Sequence, residues 1–231
     1  MKKCLFYLCL VALCLCCFTG CETNYYKLLL NNASEIRYNL FVQDDQYVTA
    51  TFMSGQREEP YVSDGISNAL KDFGVFTVKF KSNVSVAEIT FEATIDGHTY
   101  TGVMEKNPYE LNTYATDIEV VVADQSNIKL IYVVSDVARS IQLKNAMSEW
   151  QITCFDALKQ ASTELQPFIK QHTKNSDLQA EVYVKIAFDT SNNLSPYFWL
   201  VQIVATDSTS SQLVIDPLTN EILVKTNAVA D

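Results

Sequence analysis

The sequence predicts a mainly β chain in two units. The first is an antiparallel β-sandwich over residues 35–134. The second is an α+β unit over residues 143–227, with one long helix packed on a three- to four-stranded antiparallel meander. Three observations carry this reading. Apolar and polar residues alternate in short runs from Glu35 to Val134. The spacing then changes to steps of three and four between Met147 and Phe168, and alternation returns from Glu181 onward. A period of two marks strands with one buried face, and a period of 3.6 marks an amphipathic helix.

The sandwich elements follow in order. Tyr38, Leu40 and Val42 alternate with Arg37, Asn39 and Gln43. Val48, Ala50 and Phe52 form a second strand, and Phe76, Val78 and Phe80 a third. The clearest run is Ala87, Ile89, Phe91, Ala93 and Ile95, set against Glu88, Thr90, Glu92 and Thr94. Asp96-Gly97 follows at once and signals a tight hairpin. Tyr100 to Lys106 returns, and Ile118–Val122 and Ile128–Val134 add two more strands. About seven strands in about 100 residues, with no helical stretch between them, fit an immunoglobulin-like sandwich. The Cys…Trp…Cys core of true immunoglobulin domains is missing, so only the architecture is implied.

In the second unit, Met147, Trp150, Cys154, Ala157, Leu158, Ala161, Leu165 and Phe168 lie on one face of a helix of about 20 residues. Ser148 with Gln151 spells a capping box, and Pro167 kinks or ends the helix. Val182, Val184, Ile186 and Phe188 share one face of the next strand. Tyr197 to Thr206 is apolar on nearly both faces and reads as a central strand. Leu213–Asp216 and Glu221–Lys225 close the chain as a hairpin, with the boundary between units near Ser135–Lys144.

The N-terminus reads as an export signal. Lys2 and Lys3 precede an uncharged apolar run from Cys4 to Phe18. Fifteen residues fall short of the ~20 that span a bilayer, so residues 1–20 are expected to be a removed signal peptide. Phe18-Thr19-Gly20-Cys21 resembles the lipobox of bacterial lipoproteins, with Phe18 where that pattern usually has Leu. The resemblance implies that Cys21 carries a diacylglyceryl group. It also implies a protein anchored to the outer face of a bacterial membrane, with Glu22–Ser34 as a tether. An ordinary Cys-rich signal, and palmitoylation of Cys16 or Cys17, are the competing readings.

Composition narrows the partners. Removing residues 1–20 takes away two lysines and no acid, so the net charge moves from −10 to −12. An acidic chain with no basic cluster is a poor binder of nucleic acid, because phosphate contacts need Lys or Arg. The same holds for charge-driven binding to anionic lipid. Five of the seven cysteines lie in the signal, leaving Cys21 and Cys154. The fold is expected to have no internal disulfide, and Cys154 to be a small buried hydrophobe.

The C-terminal hairpin, Leu213-Val214-Ile215-Asp216-Pro217-Leu218-Thr219-Asn220-Glu221-Ile222-Leu223, resembles the closing hairpin of PepSY domains, with Asn220 in place of the usual Gly. The resemblance covers roughly the last 80 residues. It implies an extracytoplasmic module with a regulatory, inhibitory or binding role and no catalytic residues. The whole chain also resembles uncharacterised two-part lipoproteins of bacteria.

No catalytic constellation stands out. His98 and His172 fall in different units, and neither has metal-ligand spacing to a Cys, His or acid. No G-x-S-x-G or G-x-G occurs, and Asp72-Phe73-Gly74 spells a kinase signature without its other parts. No cofactor or metal is expected. The most unusual loop is Met53–Tyr61, which packs charge, an aromatic and turn formers between strands. Arg57, Glu58 and Tyr61 are its candidate binding residues. The competing reading is a solvated loop in which Arg57 pairs with Glu58 or Glu59. Tyr197, Phe198 and Trp199 read as sheet core rather than a ligand groove. The functional expectation is a non-catalytic envelope lipoprotein with a binding or structural role and an envelope protein or peptide as partner. The alternatives are a regulator or inhibitor of an extracytoplasmic peptidase, and an envelope hydrolase with a dispersed site.

Overall fold

The computed structural model describes residues 24–189 and 197–228. The expected signal, the lipobox and Cys21 lie outside the described residues.

The N-terminal unit is a closed barrel, not a sandwich. Its eight strands are β1 (Ala33–Asp44), β2 (Val48–Glu58), β3 (Leu70–Phe80), β4 (Glu88–Ile95), β5 (His98–Lys106), β6 (Thr113–Ile118), β7 (Ile128–Val134) and β8 (Val137–Asn145). They pair antiparallel in the order β1-β2-β3-β6-β5-β4-β7-β8. The ring closes where β1 meets β8, through Phe41 opposite Asn145 and Val42 opposite Lys144. Alternation shows that each strand buries one face, and it does so equally in a sandwich and in a sheet that curls onto itself. Here a single sheet encloses its own core. Phe52, Phe76 and Phe91 stack in series, with centroids 4.4 and 5.9 Å apart. Ile89, Met104, Tyr114, Ile128 and Leu130 fill the space around them. The segment expected to hold the boundary, Ser135–Lys144, is mostly β8 and belongs to the barrel.

The second unit shares a strand with the first. The start of β1 pairs in parallel with β11 (Ala180–Phe188), with Glu35 beside Tyr183 and Ile36 beside Val184. The sheet continues antiparallel through β12 (Tyr197–Ala205), β13 (Ser210–Ile215) and β14 (Ile222–Ala228). A small hairpin, β9 (Thr173–Lys174) with β10 (Asp177–Leu178), precedes it. A register shift between Arg37 and Asn39 lets β1 serve both units. Ile36 and Leu40 join the second core while Phe41 faces into the barrel. Gly55 lies against this bulge. A Cβ there would sit 2.1 Å from the Ile36 carbonyl oxygen, so no larger residue fits.

Three short helices cover one face of this sheet, replacing the single long helix expected. They are α1 (Tyr25–Asn31), α2 (Cys154–Glu164) and α3 (Gln166–Gln171). Helix α2 starts at a capping box made by Thr153 and Asp156, not by Ser148 and Gln151. Met147 and Trp150 precede it in a turn. Trp150 still reaches the same core, edge-on to Trp199 at 5.2 Å, which is why its spacing imitates a helix. The helical path breaks at Leu165, and Pro167 opens α3, where its missing N–H costs nothing. Leu29, Leu158, Ile169, Val182, Trp199 and Ile203 are fully buried between helices and sheet. Residues 25–31, expected to be tether, therefore fold as α1 and pack through Leu29.

Candidate functional site

The face of this sheet away from the helices carries charge. Along β11, Val182, Val184 and Ile186 face the helices, so Glu181, Tyr183 and Lys185 point to the other side. Glu35 and Arg37 on β1 lie next to them. This polar face is not open to water. The segment between β2 and β3, residues 59–69, runs over it as a strap. Gly65, at φ +82°, rests against the backbone of Ala205 and Thr206, so the strap reaches the far end of β12.

Under the strap the hydrogen bonds form one network. The Tyr61 hydroxyl donates to Glu35 Oε2 at 2.6 Å and accepts from Lys185 Nζ at 2.7 Å. Arg37 Nε donates to Glu35 Oε1 at 2.5 Å, and Lys185 lies 3.3 Å from Glu35 Oε2. Tyr183 donates to the fully buried Glu181 at 2.6 Å, and its ring meets Tyr61 edge-on at 6.1 Å. Burial alone would push the Glu35 carboxyl up. Arg37, Lys185 and the Tyr61 hydroxyl together outweigh burial and hold it below its ordinary value of 4.5. Burial, followed by the bond to Glu35, pushes the Tyr61 hydroxyl well up, and Tyr183 is raised in the same way beside Glu181. The network thus keeps an ionised carboxylate and neutral phenols at neutral pH.

Beside the network, where β2 ends, β3 begins and β6 ends, a cleft of about 440 Å³ opens. Arg57, Glu58 and Tyr61 all line it, so the structure brings the three candidate residues into one place. Its other walls include Glu59, Lys71, Asp72, Phe73, Asp117 and Glu119. Arg57 does not pair with Glu58 or Glu59. It stacks 4.8 Å above the Phe73 ring and bonds to Asp117 across the sheet. Lys71 takes Glu59. Glu58 is 1 % exposed; its Oε2 accepts from the backbone N–H of Asn68 at 2.9 Å and so fastens the strap. Among the described residues its Oε1 has no hydrogen-bond partner. Behind Glu119, Val122 is pinned by Asn39, which donates to its carbonyl, and by Ser54, which accepts from its N–H at 3.3 Å.

Five carboxylates and two cations line this cleft. The two cations are paired with Asp117 and Glu59, and among the described residues Glu58, Asp72 and Glu119 form no ion pair. Asp72 accepts from Gln56 at 2.8 Å. Asp72 and Phe73 come from the tripeptide that spelled an accidental kinase signature, and they matter here for a different reason. Asp117, Glu119, Glu35 and Lys185 carried no motif. The signal that was available is Glu181-x-Tyr183-x-Lys185, a polar period of two on a strand whose other face is core.

The remaining candidates are scattered. Cys154 begins α2, is 4 % exposed, and burial pushes its thiol up to about 12, as befits a packed hydrophobe rather than a nucleophile. His98 is exposed on the β4–β5 hairpin. His172 ends α3, with Nδ1 2.9 Å from the Phe168 carbonyl and Nε2 3.4 Å from Asp207. Among the described residues no three His, Cys, Asp or Glu side chains cluster as metal ligands. Phe198 and Trp199 are core, and Tyr197 lies against Phe188 at 5.2 Å.

Fold and site define a class: a closed eight-stranded barrel joined through its first strand to a helix-covered sheet, with a strapped polar face and an acid-lined cleft. No family model, no curated protein and no solved structure matches the chain.

Proposed function

We propose that this is a lipid-anchored binding protein of a bacterial cell envelope. In this reading it acts without catalysis and takes a cationic group, the ammonium or guanidinium of a peptide or protein partner, into the Arg57–Glu119 cleft. One observation carries the choice of ligand: five carboxylates and two cations line the cleft, and both cations are already paired. Such a cleft favours positive charge. The network beneath the strap supports a binding role, since it fixes Tyr61 and so sets the shape of the wall before any ligand arrives.

The anchor rests on Lys2, Lys3, the run Cys4–Phe18 and Thr19-Gly20-Cys21. Helix α1 begins at Tyr25, four residues beyond Cys21. At ~3.5 Å per residue the body is held within roughly 14 Å of the lipid. Replacing Cys21 with Ala should abolish lipid mass and release the protein from membranes. Unchanged retention would overturn the anchor.

The binding reading is tested by calorimetric titration of the full chain in a non-ionic detergent. The probe is a capped peptide with one central Arg, compared with its citrulline counterpart. The Arg peptide should bind at least tenfold more tightly, and Asp72→Asn with Glu119→Gln should erase that preference. Equal binding of the two peptides contradicts the reading.

A further inference from the structure

At the opposite end of β2 and β3 lies a second, smaller pocket of about 220 Å³. It is lined by Tyr47, Phe80, Ser82, Tyr132, Val134, Val137 and Arg139. Tyr47 sits in the β1–β2 turn, Phe80 ends β3, and Tyr132 and Arg139 face each other across the β7–β8 hairpin. We propose that this pocket binds a small carboxylate with an aromatic or apolar body.

Two donors there have no acceptor among the described residues, the buried Tyr132 hydroxyl and the exposed Arg139 guanidinium. Tyr132 is 1 % exposed, and among the described residues its hydroxyl has no hydrogen-bond partner. A buried hydroxyl left unbonded is costly, so its presence calls for an explanation. Burial raises its pKa, and Tyr132 lines the pocket together with Tyr47 and Arg139. The second donor is Arg139. Its guanidinium lies 3.7 Å above the Tyr47 ring, and among the described residues no carboxylate pairs with it. Stacking fixes the plane of the guanidinium and leaves its N–H edge free for a two-oxygen acceptor.

The walls fit the rest of the ligand. Phe80 meets Tyr132 edge-on at 5.7 Å, and Val134 and Val137 add an aliphatic side. The nearby acid, Asp45, is already engaged: its Oδ1 accepts from the N–H groups of Tyr47 and Val48 at 2.7 and 2.8 Å. Those bonds hold the Tyr47 loop in place under Arg139. A carboxylate can therefore accept from Tyr132 with one oxygen and from Arg139 with the other, its body lying between Phe80 and the valines.

The test uses the full chain in a non-ionic detergent and benzoate as probe, with benzyl alcohol as the uncharged isostere and acetate as the carboxylate without a body. Benzoate should bind saturably and at least tenfold more tightly than either control. Tyr132→Phe and Arg139→Gln should each weaken benzoate at least tenfold. Without ligand, Tyr132→Phe should melt at the same temperature as the parent or higher, because it deletes an unbonded hydroxyl. Equal binding of benzoate and benzyl alcohol, undiminished binding by both variants, or a lowered melting temperature for unliganded Tyr132→Phe would each overturn the proposal.

Discussion

Glu35 joins the two units electrostatically as well as through the backbone. It accepts from Arg37 and Tyr61 and lies beside Lys185, with only 3 % of its surface exposed. Glu35→Gln leaves two partly buried cations without their counter-charge. It should cost about 2–3 kcal/mol at pH 7, measured by urea unfolding. The sign of the pH effect follows from the lowered pKa. The folded form holds Glu35 below its ordinary 4.5, so its contribution is complete above that pH and is lost as pH falls through the lowered folded value. The parent should therefore lose stability below about pH 4.5 more steeply than Glu35→Gln. Parallel curves would show that the carboxylate is not held as described. This residue was not legible as special in the sequence. Glu35 looked like the first wet position of an alternating strand, and it is buried where Tyr61, from the segment after β2, folds over it.

Short elements were read well where a local rule sets them and poorly where packing sets them. The Asp96-Gly97 hairpin is present, with φ values of +50° and +87°, because a two-residue turn demands that chemistry locally. The closing hairpin turns at Asn220, φ +61°, for the same reason. Helix length misled, because Met147 and Trp150 continue the helical spacing from a non-helical turn. Thr153→Ala removes the cap that sets the true start and should cost about 1 kcal/mol in thermal unfolding. The strap makes a stronger claim. At Gly65 a Cβ would meet Thr206 N at 2.6 Å, and the φ of +82° disfavours any L side chain. Gly65→Ala should cost about 1–3 kcal/mol. It should also speed hydrogen exchange at Asn68 and its strap neighbours, while the Phe52 and Phe76 amides stay protected. Equal exchange in both proteins would mean that the strap does not depend on that contact.

At the scale of the whole molecule, β1 is the decisive strand. It closes the barrel against β8, runs beside β2 throughout, and carries β11 at its start. The alternation of β1 was readable, whereas its three partners were not. Pairings such as Phe41 with Asn145 join residues about a hundred positions apart, and a period of two does not encode which distant strand comes alongside. Sandwich and barrel therefore look alike in sequence. Sharing one strand should make the two units unfold together. Tryptophan fluorescence reports the helix-covered core, where Trp150 and Trp199 lie, and far-ultraviolet dichroism reports all strands. The two should give coincident urea transitions, and separated midpoints would contradict the coupling. The central functional claim is that the strapped cleft receives a positive side chain. Its most direct test is backbone amide chemical-shift mapping of the full chain with the capped Arg peptide. The account expects saturable shifts confined to residues 57–61, 71–73 and 117–119, absent with the citrulline peptide. Shifts elsewhere only, or identical shifts with both peptides, would contradict it.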